Sequence, residues 1–181
     1  MANWCSNFVT FDGDTKQVEK IMNVFQKMEK LSRDKGQKFL LLDPSVSVNN
    51  WFFDININDE QSICYETKWS PDPVHLIKAC KLFSVNFMLN SEELNNDYIG
   101  CHEYTYETDE LKWKSLTPDE IESTVECQCS IPQPHASDDD TCEERYSNIE
   151  LMENILDKKP WYHATYDLES NHVDELEDIE Q

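Results

Sequence analysis

Glycine is scarce in this chain, with three residues among 181. That leaves no glycine-rich loop to press backbone amides against a phosphate, and neither H-E-x-x-H nor G-x-S-x-G occurs. The sequence signatures of nucleotide binding, metalloproteolysis and serine hydrolysis are therefore missing. Bases are few as well: 15 Lys and Arg stand against 37 Asp and Glu, scattered and densest between Lys16 and Lys38. A net charge of −22 and a pI near 4.3 repel nucleic acid, whose binding needs a concentrated basic patch. The field favours a basic partner instead. No run of eighteen apolar residues exists to cross a membrane as a helix. The opening Met1-Ala2-Asn3-Trp4-Cys5 lacks a basic stretch followed by an apolar one, so the expected compartment is the cytoplasm. Seven cysteines, an odd number, read as reduced thiols rather than as a disulfide framework.

What is present is enough for a core: 39% hydrophobic residues, with five Trp and eight Phe. Trp4 to Phe11 alternates, placing Cys5, Asn7, Val9 and Phe11 on one face of a strand that Asp12-Gly13 ends. Asp14, with Gln17 three residues on, predicts a reciprocal cap for a helix carrying Val18, Ile21, Met22, Phe25 and Met28. A strand from about Val46 to Ile57, a turn at Asp59-Glu60 and a strand over 62–69 form a hairpin. Pro71 and Pro73 open a second helix of about eleven residues, and Val85 to Leu89 gives a fourth strand. Asp97 to Glu107 is a fifth strand, placed to pair with Leu111 to Leu116. Strand, helix, two strands, helix, strand is the ferredoxin-like order. The expectation is an α+β fold: a ferredoxin-like antiparallel sheet over residues 1–116 with helices on one face. Residues 117–181 form an acidic, partly helical C-terminal extension packed on or beside it. In that extension Thr117-Pro118-Asp119-Glu120 opens a short helix, Tyr146 to Lys158 keeps a helical period, and Trp161, Tyr162, Tyr166 and Leu168 can fold back on the domain.

Two short motifs carry a family resemblance: Asn3-Trp4-Cys5-Ser6-Asn7, followed by Gly13, and Tyr65-Glu66-Thr67-Lys68-Trp69-Ser70-Pro71. Their order and spacing, with Gly100 beyond, make residues 1–110 similar to the YubB-like, ferredoxin-like family of phage, plasmid and prophage proteins. The chain departs from that pattern in having Asp72 where a second proline is expected. The resemblance implies a fold and a mobile-element origin; no activity comes with it.

Candidate chemistry is thin. Cys5 with Asn3 and Asn7 has no histidine nearby in sequence, and the alternation assigns it to a sheet, where a free cysteine packs as a small hydrophobe. Cys101, His102 and Glu103 combine a thiol, an imidazole and a carboxylate, but neighbours on a strand point to opposite faces. Cys127, Cys129, His135 and Cys142 offer four zinc ligands within sixteen residues, although C-x-C is not the usual ligand spacing.

The acidic tail is the most pronounced feature. From Asp138 to Gln181, fifteen acids face three bases, a net of −12. The runs are Asp138-Asp139-Asp140, Glu143-Glu144, and Asp174, Glu175, Glu177, Asp178 and Glu180. Val173, Leu176 and Ile179 recur at three-residue spacing among the last of these, which predicts an amphipathic helix. Such a tail serves either as a solvated, solubilising segment or as a set of carboxylates that imitate backbone phosphates in the basic groove of a nucleic-acid-binding host protein. The functional expectation is stoichiometric binding, as an inhibitor of a host defence nuclease or CRISPR effector, without direct contact to nucleic acid. The alternatives are a small metal-dependent hydrolase acting on nucleotides or nucleic acid, and an assembly module that forms homo-oligomers.

Overall fold

A computed structural model describes residues 4–35, 52–68, 70–93, 98–127, 145–169 and 172–175. In chain order the elements are β1 (Trp4–Asp12), α1 (Thr15–Lys35), β2 (Phe53–Ile57), β3 (Ser62–Lys68), α2 (Pro73–Phe83), β4 (Asn86–Glu93), β5 (Tyr98–Thr105) and β6 (Glu110–Ser115). After these come α3 (Pro118–Glu122), β7 (Val125–Cys127), β8 (Arg145–Ser147), α4 (Ile149–Asp157), β9 (Tyr162–Asp167) and β10 (His172–Glu175). Eight strands form one antiparallel sheet in the order β10-β9-β6-β5-β4-β1-β3-β2. Its β4-β1-β3-β2 portion, with α1 and α2 as the crossovers, is the ferredoxin-like arrangement read from the sequence.

The period of two decides which side chains are buried. Cys5, Asn7, Val9 and Phe11 of β1 face α1 and α2, whereas Trp4, Ser6 and Phe8 point the other way. Val18, Ile21, Met22, Phe25 and Met28 of α1 recur at helical spacing and close over the same face, with Leu76, Ile77, Ala79 and Cys80 of α2 beside them. Aromatic rings join the layers: Phe25 lies 5.6 Å from Phe11 and 5.6 Å from Phe52, and Phe52 lies 4.6 Å from Tyr65. At the start of α1, Asp14 Oδ1 accepts from the Lys16 amide at 3.1 Å, but Gln17 accepts from Lys20 at 3.1 Å. A lysine one turn along thus draws Gln17 away from the reciprocal bond expected of it. A reciprocal box does form on α3, where Thr117 and Glu120 bond to each other.

Helices occupy both faces of the sheet, not one. The reverse face of β5 supplies Ile99 and Cys101, on which Ile121 of α3 and Met152 and Leu156 of α4 pack to make a second, smaller core. Tyr146 falls in β8, so α4 starts only after its cap, Asn148, which accepts from the Leu151 amide at 3.0 Å.

The C-terminal extension also departs from its expected form. β9 pairs with β6 through Leu111–Ala164, Lys112–His163 and Trp113–Tyr162, and β10 pairs with β9. Val173, Asp174 and Glu175 therefore lie in a strand and not on a helix. An isolated helix of fewer than about twelve residues is marginal in water, while the open edge of β9 offers backbone groups that need partners. The link over 39–42 and the first half of the expected second strand, 46–51, lie outside the described residues, as do Asp138, Asp139, Asp140, Glu143, Glu144, Leu176, Glu177, Asp178, Ile179 and Glu180.

Candidate functional site

The two short motifs meet on the face covered by α1 and α2, in a place that solvent does not reach. Asn7, 2% exposed, donates from Nδ2 to the Cys5 carbonyl at 2.9 Å and to Thr67 Oγ1 at 2.9 Å. Its Oδ1 accepts from the Ser91 hydroxyl at 2.8 Å. Thr67 in turn donates to the Ser70 carbonyl at 2.8 Å, tying β3 to the loop that leads into α2. That loop is held by Asp72, whose carboxylate caps α2 at the His75 amide and lies 2.7 Å from His75 Nδ1. The motif residues thus fasten β1, β3 and β4 together beneath α2, a structural task. Trp69 and Asn3 lie outside the described residues. Gly100 has a steric reason: a Cβ there would stand 2.7 Å from Cζ of Tyr98, whose ring lies over it.

Burial also disposes of three of the thiols as nucleophiles. It pushes the Cys5 and Cys101 thiols up to about 12 and the Cys80 thiol well above its ordinary value. Cys64 is half-buried and accepts from Asn58 Nδ2 at 3.1 Å. Alkylation of the native protein at pH 8, read by peptide mapping, is expected to label Cys64 at least about tenfold faster than Cys5, Cys80 or Cys101. Equal rates would show that the buried face opens readily. His102 turns to the face of α1 and α2 and Cys101 and Glu103 to the reverse face, so the three do not converge. Of the possible zinc ligands, Cys127 ends β7 opposite Arg145, while Cys129, His135 and Cys142 lie outside the described residues. Among the described residues, no three of His, Cys, Asp and Glu come together in a way that would hold a metal ion.

The reverse face of the sheet holds a recess. Beside α4, the outward residues of β1 to β4 line a groove of about 600 Å³. Asp54, Glu66 and Glu92 approach it from the strands, and Glu153 and Asp157 from α4. Glu153 and Asp157 are four apart, on one face of the helix. No lysine or arginine is among its described lining residues. Phe8, 38% exposed, lies on its floor. Trp4, also 38% exposed, stands two residues from Ser6 on the same face. Its ring is 4.9 Å from that of Phe53, and the Lys68 ammonium lies 5.9 Å and 5.3 Å from the two ring centres.

A comparison of sequences places part of this architecture among known domains. Residues 50–128 match a family described as a ferredoxin-like domain in Api92-like protein. The matched stretch runs from the start of β2 through β7 and omits β1, although β1 lies between β3 and β4 in the sheet. No curated protein and no solved structure matches the chain significantly. No helix among the described residues is long and apolar enough to cross a membrane.

Sequence reasoning assigned the partner surface to the acidic tail and passed over the groove. Of the tail acids singled out for that surface, Asp174 and Glu175 are in described positions and belong to β10, at the far edge of the sheet from β2 and β3. The groove acids come singly from three strands and as one pair four residues apart from α4, and form no run.

Proposed function

We propose that this protein acts by stoichiometric binding, taking a basic segment of a nucleic-acid-binding protein onto the acidic reverse face of its sheet. It thereby competes with the nucleic acid that such a segment would otherwise hold. The observation that carries this reading is the groove itself: five carboxylates line it from four elements, no lysine or arginine is among its described lining residues, and Lys114 reaches Asp157 from outside the lining at 3.6 Å. Within a recess walled by protein, like charges add to a field stronger than the same charges spread over open surface. The chain's net charge of −22 supplies long-range attraction for a basic partner. The resemblance to phage and plasmid proteins points to bacterial partners, with defence nucleases and CRISPR effectors as the class to examine. A hydrolytic reading needs carboxylates converging on one ion, an arrangement the described residues do not present.

The test is competition. Bacterial proteins retained on immobilised duplex DNA are eluted and passed over the immobilised protein, with and without free duplex DNA. At least one is expected to bind, to be released by salt at about 0.5 M, where screening is strong, and to be displaced by free duplex. Retention that DNA fails to displace would overturn the reading, and so would no retention at all.

A further inference from the structure

We propose that Ser6, Glu66, Glu92 and Phe8 form a seat for a guanidinium group, so that the segment taken onto the open face is an extended, arginine-bearing strand. This rests on the binding reading above and names the chemistry that the groove selects. The register sets the geometry. Ser6 pairs directly with Glu66 on β3 and with Glu92 on β4, which puts the three side chains in one row on one face. With neighbouring strands about 4.8 Å apart, the two glutamates arise roughly 10 Å from each other across the serine. The serine is small, so the row is low in the middle and high at both ends. Phe8, the next outward residue of β1, stands about 7 Å along the strand from Ser6. Its neighbours across the sheet are Cys64 and Asn90, neither of which carries a charge. Glu153 and Asp157 of α4 close one side.

A cation over Ser6 meets a carboxylate on either hand and an aromatic ring along the strand. A guanidinium suits this better than an ammonium. It is planar, presents donors along two of its edges so that both glutamates accept from one group, and stacks flat on a ring. The adjoining row shows the same principle at work within the chain, since the Lys68 ammonium lies over the rings of Trp4 and Phe53. An extended ligand follows from the period of two: alternate side chains of a strand lying along β1 would all face the sheet.

The experiment uses the full-length protein and two fluorescently labelled peptides, one of alternating arginine and serine and one of alternating lysine and serine, with binding read by polarisation. The arginine peptide is expected to bind at least about fivefold more tightly. Glu66→Gln and Glu92→Gln should each weaken it roughly tenfold. Phe8→Ala should remove the preference for arginine and leave most of the lysine peptide's affinity. Asp119→Asn, an exposed acid on α3 away from the groove, should change neither. Far-UV circular dichroism confirms that each variant is folded. If lysine binds as tightly as arginine and both are lost in the glutamate variants, the guanidinium seat is wrong while the acidic face remains the binding surface. If neither peptide binds although DNA-competed partners do, the seat is again overturned, and the partner meets another part of the surface.

Discussion

Asn7→Asp is expected to cost on the order of 3–5 kcal/mol at neutral pH, the largest effect of any single substitution considered for this protein. The wild-type amide works in both directions, donating to the Cys5 carbonyl and Thr67 Oγ1 and accepting from Ser91. An ionised carboxylate only accepts. It would face the Cys5 carbonyl lone pair to lone pair, and Thr67 Oγ1 as well, whose proton is already committed to Ser70. It would also be a charge removed from water on the same face as Glu93, itself 1% exposed. Desolvation raises the folded-state pKa of such a carboxyl above its unfolded value of about 3.9. The folded variant then binds more protons than the unfolded chain, so its stability falls as pH rises through that interval and is recovered in acid. Urea unfolding of variant and wild type at pH 7 and at pH 4.5 tests this. The gap between them should be widest at pH 7 and narrow at pH 4.5. A gap that does not change with pH would mean that Asn7 acts through shape and not through its donors.

The Asn7 cluster also shows how far the sequence could be read. Alternation over Trp4 to Phe11 was enough to place Cys5, Asn7, Val9 and Phe11 on the buried face, because a strand covered on one side alternates in burial with period two. The prolines around Asp72 marked the start of α2 for an equally local reason. Three things were hidden. That Asn7, Thr67 and Ser91 meet depends on the order of strands in the sheet, which no local window contains. β9 does alternate, through Tyr162, Ala164, Tyr166 and Leu168, and its folding back on the domain was legible; β10 was not. Val173, Leu176 and Ile179 fit a helical period, and pairing with β9 took Val173 by satisfying backbone groups that a short solvated helix leaves to water. The groove was the least legible. Asp54, Glu66, Glu92, Glu153 and Asp157 span about a hundred positions, each reading as an ordinary outward polar residue, whereas the acidic runs of the tail, to which none of them belongs, stand side by side and draw attention. A run of charge is a sequence feature; a convergence of charge is a product of topology.

The same edge of the sheet yields the second large effect, at Asp109. This residue closes the β5–β6 hairpin with φ at 53°, a left-handed conformation that Asp and Asn tolerate better than other side chains. Its carboxylate accepts from Lys81 of α2 at 2.8 Å, from the Tyr104 hydroxyl at 2.9 Å and from the Tyr166 hydroxyl of β9. The Lys81 ammonium also lies 5.3 Å from the centre of the Tyr166 ring. Burial works to raise the Asp109 carboxyl, but the donors Lys81, Tyr166 and Tyr104 outweigh it and hold the group below the usual carboxylate range. Asp109→Ala removes the common acceptor, strands the fully buried Tyr104 hydroxyl and strains the turn, for a total of about 2–3 kcal/mol. Asp109→Asn keeps an acceptor oxygen and the tolerance for positive φ. It gives up an ion pair with a half-exposed lysine that is worth little in water, so about 1 kcal/mol or less should be lost. Because the carboxyl is depressed in the folded state, its contribution is present above the unfolded value near 4 and is lost as pH falls through the folded one. The alanine penalty should therefore shrink in acid. Urea unfolding ranks the variants, and amide exchange locates the damage: β9 should lose protection in Asp109→Ala before β1 does, because the Tyr166 hydroxyl adds to the β6–β9 pairing a bond to this side chain that β1 does not share. Equal losses for alanine and asparagine, or exchange that rises uniformly across the sheet, would show that the turn and not the shared carboxylate holds β9 in place.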